Sequence, residues 1–359
     1  MLDSLTVFLV PFFIVSLASI LILLLYPFTT SLSAKNKELA KRKLENFPEV
    51  SVIVPTYMEE DNIERKIDNL YGIDYPQDKL EVLVVDSGST DDTRSIAEEK
   101  GVKVINLKKR GKIKAINHGV EESSYEHLLL TDADVFQNKN ALKEALIHLV
   151  KGVGAVGGRS RIETDVLYQK SKKMYHERDW DLRSKESVLD STASLDGKFI
   201  LTKKEFFEDI DEEAYTDDLQ LTVDIRKKGL RAIIPETVFV TEKTPDKVSE
   251  DIQQMRRRCS LSIGNSVQNL GIVKDLEKFQ SIIFPVRRFL NYFLPFKLLV
   301  VSAFLILTSP LIFSFLVGLN IVLSVLKPQV FYYNILTFIL LLSWKDYLLG
   351  RTLNGCRWD

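Results

Sequence analysis

Two stretches of this chain are too apolar to face water, and that constrains everything between them. From Leu5 to Leu25 the sequence LTVFLVPFFIVSLASILILLL carries no charge, about the 20 residues a helix needs to cross a hydrocarbon core. A second apolar region, Phe289 to Trp344, is interrupted only by Lys297 and Lys327. The middle, Glu49 to Lys274, is charged throughout and reads as the water-soluble part. The first segment lacks the marks of a cleaved signal peptide, since MLDS has no positive start and YPFTTSLSAKNK is a poor cleavage site. It reads as an anchor. Its downstream flank holds Lys35, Lys37, Lys41, Arg42 and Lys43 and its upstream flank holds no basic residue, so the positive-inside rule puts the middle part in the cytoplasm. Cys259 and Cys356 fit a reducing compartment and have no metal-ligand spacing. A net charge of -1 leaves no electrostatic footprint for nucleic acid.

Within the soluble part, strand-like and helix-like patterns alternate. VSVIVPTYMEEDNIERKIDNLYG is a β-branched run, a turn, and a helix with Ile63, Ile67 and Leu70 on one face. LEVLVVDSGSTDDTRSIAEEKG repeats the design; VKVINL and HLLLTDADVF read as the third and fourth strands. The pattern predicts an α/β fold with a mostly parallel sheet covered on both faces, in which ligands bind beyond the carboxyl ends of the strands. After Gly152 it loosens: VGAVGGRSRI reads as one strand, GKFILTKKEFF as a strand entering a helix, and YTDDLQLTVDIRKKG as an acidic turn and a helix.

The polar residues at those strand ends are the candidates for chemistry. Asp132 and Asp134 follow an apolar strand, and two carboxylates converging there suit a hard divalent ion that bridges to phosphate. One aspartate would suffice if the purpose were only to cap the helix that follows. Asp86 ends another strand before a tight Ser-Gly turn. Lys112, after Gly111, offers a point charge for phosphate, although a solvated basic face is an alternative for its neighbours. Asp217 and Asp218 are either a cap or a general base. QQMRRRCS groups Gln253, Gln254 and three arginines shortly before the second apolar region, where lipid headgroups or an anionic, hydroxyl-rich ligand are the possible partners.

In this order the motifs resemble the membrane-bound family-2 glycosyltransferases, which include the cellulose, chitin and hyaluronan synthases. The resemblance runs from Val50 to about Ser260 and takes in the membrane segments. It implies a GT-A fold, a Rossmann-like nucleotide-diphospho-sugar transferase domain, with N-terminal and C-terminal transmembrane helices. VPTYMEED resembles the first strand end of the family, which implies that Pro55, Thr56, Tyr57 and Glu59 surround the nucleotide base. Asp86 matches the aspartate that contacts uridine. Lys112 lies in the stretch that closes over the nucleotide, near its diphosphate. TDADV matches the DxD motif, so Asp132 and Asp134 would hold the nucleotide and a Mg or Mn ion. YTDDLQLT resembles the TED or EDxxL element and makes Asp218, next to Asp217, the general base. QQMRR resembles Q(Q/R)xRW, which assigns Gln253, Gln254, Arg256 and Arg257 to diphosphate and acceptor; Gln254, Arg257 and Arg258 meet the same spacing one residue later. Met58 stands where the family has asparagine, and Arg257 where it has tryptophan.

The implied organisation is an anchor over 1–30, a basic linker over 31–48, a cytoplasmic transferase domain over 49–274, an interfacial helix over 275–290, and a membrane region of two or three spans over 291–359. The implied activity is inverting, metal-dependent transfer from a nucleotide sugar, a UDP-sugar first, to a glycan or lipid-linked acceptor at the lipid bilayer, with processive synthesis as one form. A polyprenyl-phosphate glycosyltransferase and a non-catalytic nucleotide-sugar-binding scaffold are the alternatives.

Overall fold

The computed structural model describes residues 2–162, 167–242, 247–271 and 280–351. The apolar N-terminal segment forms α1 (Leu2–Ala34), which reaches the soluble part through the basic linker. The chain then runs β1 (Val50–Thr56), α2 (Ile63–Tyr71), β2 (Leu80–Asp86), α3 (Thr93–Glu99), β3 (Lys103–Asn106), α4 (Lys112–Glu121) and β4 (His127–Leu130). Next come β5 (Val135–Gln137), α5 (Ala141–His148), β6 (Val153–Gly157), β7 (Arg159–Ile162) and α6 (Leu167–Leu189). The soluble part closes with β8 (Ile200–Lys203), α7 (Asp217–Lys227), β9 (Arg231–Ile233), β10 (Phe239–Glu242) and α8 (Val248–Gln268).

Seven strands form one sheet in the order β3-β2-β1-β4-β8-β6-β9. The first four are parallel, as the alternation predicts, but β8 runs antiparallel to both β4 and β6, so the sheet is mixed. The period-two pattern of β1 feeds two cores. Val50, Val52 and Val54 face α2 and α5, whereas Ile53 faces α4, whose Gly119 leaves room for the Ile53 side chain.

Two expectations need correction. HLLLTDADVF is not one strand: β4 stops at Leu130, and β5 joins a second, three-stranded sheet, β5-β10-β7. VGAVGGRSRI likewise divides at Gly158 into β6 and β7, one in each sheet. In both cases consecutive apolar residues conceal a change of sheet. The first break is where Asp132 and Asp134 emerge.

At the C-terminal side, α9 (Gln280–Phe284) continues into a π-helical turn, Pro285–Leu290, and then α10 (Leu294–Thr308), α11 (Pro310–Leu326) and α12 (Pro328–Leu348). Residues 275–279 of the expected interfacial helix lie outside the described residues, as do Cys356 and Arg357. Each of the last three helices has proline in its first turn, where the missing N–H is not needed. Among the described residues, one helix is by itself long and apolar enough to cross a membrane, from Leu9 to Ala34; the C-terminal helices reach that length only as bent pairs. Phe13 of α1 stacks on Phe304 of α10 at 4.1 Å. The apolar helices are tied to the soluble part by a buried polar chain: Tyr26 donates to Glu186 at 2.8 Å, and Arg287 pairs with Glu186 at 3.2 Å and with Asp179 at 2.6 Å.

Candidate active site

Beyond the carboxyl ends of β1 and β4 lies a cavity of about 490 Å³. Asp132 and Asp134 reach it from the loop between β4 and β5. Asp217 and Asp218 reach it from the first turn of α7, and Gln254, Arg257 and Arg258 from α8. The capping alternatives do not account for these acids. The N-cap of α5 is Asn140, and that of α7 is Thr216, whose side chain makes no capping bond.

Lys112, at the start of α4, joins the two acidic sets. Its Nζ lies 2.7 Å from Asp132 Oδ1 and 3.1 Å from Asp217 Oδ2. Gly197, in the loop before β8, makes room for that bridge: a Cβ there would lie 3.2 Å from both Lys112 Nζ and Asp217 Oδ2. Asp218 accepts the Leu219 N–H at 2.6 Å. Desolvation, and then the negative charges of Asp217 and Asp196, push its carboxyl up to about 6. Across the cavity, Glu59 is raised to about 7, first by desolvation and then by Asp134 and Asp132. Among the described residues no three such side chains gather into a ready-made metal site, but Asp132 and Asp134, with Glu59 elsewhere on the same cavity wall, are hard oxygen donors of the kind a divalent cation takes.

The acidic loop rests on a residue that the sequence reading passed over. Lys66 is fully buried on the apolar face of α2, and its Nζ donates to Thr131 Oγ1 at 2.8 Å, the Val135 carbonyl at 2.5 Å and Gln137 Oε1 at 3.2 Å. Desolvation lowers its pKa to about 7 against the opposing pull of Asp132 and Asp134. The signal was present: a lysine between Ile63 and Ile67 sits on the face that the helical period buries. Arg183 and Arg288 also line the cavity, as do Asp196 and Lys198, which pair at 3.1 Å. Arg288 falls in the expected interfacial helix, and no site residue was expected at Arg183, Asp196 or Lys198.

The remaining expected site residues are placed as follows. Pro55 and Glu59 line the cavity; Thr56, Tyr57 and Asp86 do not. Thr56 and Asp86 are register partners at the ends of β1 and β2, and Arg110 lies over the Tyr57 ring at 4.5 Å. Asp86, buried, accepts the Gly88 and Ser89 N–H groups at 3.2 and 3.1 Å and so shapes its own turn. Gln253 is exposed and outside the cavity. Arg256 turns away to a bidentate pair with Asp346 of α12, at 2.5 and 2.6 Å. The assignment of Gln253 and Arg256 to the ligand is therefore corrected: on this helix the cavity-facing set is Gln254, Arg257 and Arg258, the spacing shifted by one residue.

This α/β domain is similar to glycosyltransferases of known sequence and structure. Residues 51–211 match the family model described as Glycosyl transferase family 2. The sequence is 25% identical over 212 residues, 53% of this chain and 51% of the relative, to the poly-beta-1,6-N-acetyl-D-glucosamine synthase of Staphylococcus aureus strain MSSA476. It is 36% identical over 118 residues, 31% of this chain and 39% of the relative, to the glycosyltransferase AglE of Haloferax volcanii. The chain thus spans about half or less of the length of these curated relatives. The solved structure of the mannosyltransferase PcManGT from Pyrobaculum calidifontis, in complex with GDP-Man and Mn2+, matches with a TM-score of 0.81 at 25% identity, over 98% of this chain and 100% of that one. The matched part of the chain is thus similar to family-2 glycosyltransferases, which supports a transferase.

Proposed function

We propose that this protein is an inverting, divalent-metal-dependent glycosyltransferase, anchored in a membrane with its catalytic domain on the cytoplasmic face. The observation that supports the reading is the Lys112 bridge, which joins Asp132 to Asp217 within one cavity; we assign the first acidic pair to the donor and the second to the acceptor. The sequence resemblance alone favours a UDP-sugar. The likeness to a GDP-mannose-bound mannosyltransferase over nearly the whole chain favours GDP-mannose, and we take it as the first donor.

In this reading Pro55, Thr56, Tyr57 and Asp86 receive the nucleoside at the ends of β1 and β2. Asp132 and Asp134 would hold Mg or Mn, which supplies electrostatic neutralisation of the diphosphate. Arg257 and Arg258 donate to the diphosphate and stabilise the charge that grows on it as it leaves. Asp218 takes the proton of an attacking acceptor hydroxyl; a carboxylate with a pKa of about 6 is ionised at neutral pH yet more basic than an ordinary aspartate. A single displacement assisted by one base inverts the anomeric carbon. Lys112 keeps Asp217 and Asp132 apart in charge and fixed in position.

The test is nucleoside diphosphate release by the detergent-purified full chain across UDP-, GDP- and TDP-sugars with Mg or Mn. Turnover of GDP-mannose, abolished by EDTA, is the expected result. Turnover that persists in EDTA would remove the metal from the reading, and turnover of none would remove the reading.

A further inference from the structure

The cavity that holds Asp218 continues away from the donor side. Past Arg183, Asp196 and Arg288 it opens into a second chamber of about 230 Å³, walled on its far side by Tyr332, Leu336 and Leu340 of α12. That chamber shares Tyr175, Asp179, Arg287 and Asn291 with a third space of about 620 Å³, beside Ile20, Leu23 and Leu24 of α1. The lining changes along this path from carboxylates, through a basic zone, to aliphatic side chains of the helix that is long enough to cross a membrane.

Charge pairing in the basic zone is incomplete. Lys172 is paired with Asp251 at 2.5 Å, Arg183 with Asp179 at 2.7 Å, Lys198 with Glu242 at 2.9 Å, and Arg287 with Asp179 and Glu186. Arg258 and Arg288 have no carboxylate in ion-pair contact among the described residues. Arg288 is only 8% exposed, donates to the Tyr292 hydroxyl at 2.8 Å, and leaves its buried Nε without a partner. A buried guanidinium with an unused donor is costly unless an anion arrives. A neutral polysaccharide chain would bring none, and would find aliphatic walls instead of hydroxyl partners further on.

Building on the proposed transferase, we infer that the acceptor is a lipid diphosphate-linked sugar: its sugar hydroxyl meets Asp218, its diphosphate rests on Arg288 and Tyr292, and its apolar chain runs past Tyr332 and Leu336 toward α1. The attacking atom is a hydroxyl, because an ionised lipid phosphate has no proton for Asp218 to take. The new bond joins that oxygen to the anomeric carbon of the donor. The bond from the anomeric carbon to the leaving oxygen breaks, its electron pair departs with the nucleoside diphosphate, and the hydroxyl proton ends on Asp218.

The test uses the full chain in detergent with the donor that turns over in the release panel. Three acceptors are compared: polyprenyl diphosphate-linked N-acetylglucosamine, polyprenyl phosphate, and octyl N-acetylglucosaminide. Labelled sugar should pass to the first with a KM at least about tenfold below that of the octyl glycoside, and Arg288→Gln should raise that KM by about tenfold, the loss of one charge-assisted hydrogen bond. Equal use of the octyl glycoside would overturn the inference, and so would a preference for polyprenyl phosphate that survives Asp218→Asn. Donor hydrolysis by water with none of the three accepted would overturn the inference alone. Failure to bind or hydrolyse any donor would overturn the transferase reading beneath it.

Discussion

Lys112 and Asp132 form a 2.7 Å ion pair between the first turn of one helix and a loop that leaves the sheet, and the same ammonium reaches Asp217 at 3.1 Å. The second contact is what gives the first its meaning. The lysine stands between the acidic loop after β4 and the turn that carries the proposed base, so its charge is shared by both.

Replacing Lys112 should therefore affect both halves of the reaction. Lys112→Met is expected to lower kcat/KM by about 10²-fold or more, in the range found when one electrostatic donor is removed from an active site. Lys112→Arg should not rescue it, because the space beside Nζ is so narrow that Gly197 lacks even a Cβ. Steady-state kinetics with donor and acceptor varied separately would check this; full rescue by arginine would contradict it.

The pH dependence follows from Asp218. Its folded carboxyl titrates at about 6, against an ordinary 3.8, so kcat/KM should fall about tenfold per pH unit below 6. The stability effect has the opposite sense. A carboxyl whose folded pKa is raised contributes stability that is fully present below pH 3.8 and is lost as pH rises through 6. Asp218→Asn should accordingly be inactive toward a hydroxyl acceptor yet more stable at neutral pH, by about 1–3 kcal/mol. Thermal melts at pH 4 and pH 7.5 would separate the two effects, the gain appearing only at the higher pH.

The register on α8 is testable by comparing neighbours. Arg257→Ala should weaken donor binding by at least about tenfold, as the loss of a charged hydrogen bond to phosphate does. Arg256→Ala should leave donor affinity within about twofold and lower the melting temperature instead, because it breaks the bidentate pair with Asp346. The reverse pattern in calorimetric titrations would restore the unshifted motif.

Met58 has a φ of +58° and is 47% exposed. The left-handed conformation costs a side chain with a Cβ about 1–2 kcal/mol, and asparagine tolerates it best. Met58→Asn should stabilise the domain by about 0.5–1 kcal/mol with transfer unchanged, read as a rise of about 2–4 °C in melting temperature.

How legible this molecule was in its sequence depended on whether a signal was local. The ends of β1 and β2 and the apolar run of α1 are written in short local runs, and strands and a helix stand where those runs predict them. The mixed sheet was not, because β8 pairs antiparallel with strands far from it in sequence, and a buried strand has the same pattern in either direction. The break at Thr131 was hidden because Val135 and Phe136 continue the apolar run into another sheet. On α8, local sequence does not name the partner of each arginine, so Arg256 was grouped with Arg257 at the ligand although Asp346 of α12 pairs with it instead. Arg288 lies in the segment expected to be an interfacial helix, and nothing local reveals that a π-helical turn buries it against the second chamber.

The division of labour across Lys112 is tested most directly by titrating the full chain with GDP-mannose and Mn while measuring transfer on the same preparations. The Asp132→Ala, Asp134→Ala double variant should lose metal-dependent donor binding. Asp218→Asn should bind donor as the unmodified protein does and transfer nothing to a hydroxyl acceptor. Donor binding that survives loss of both Asp132 and Asp134, or transfer that survives loss of Asp218, would contradict the account.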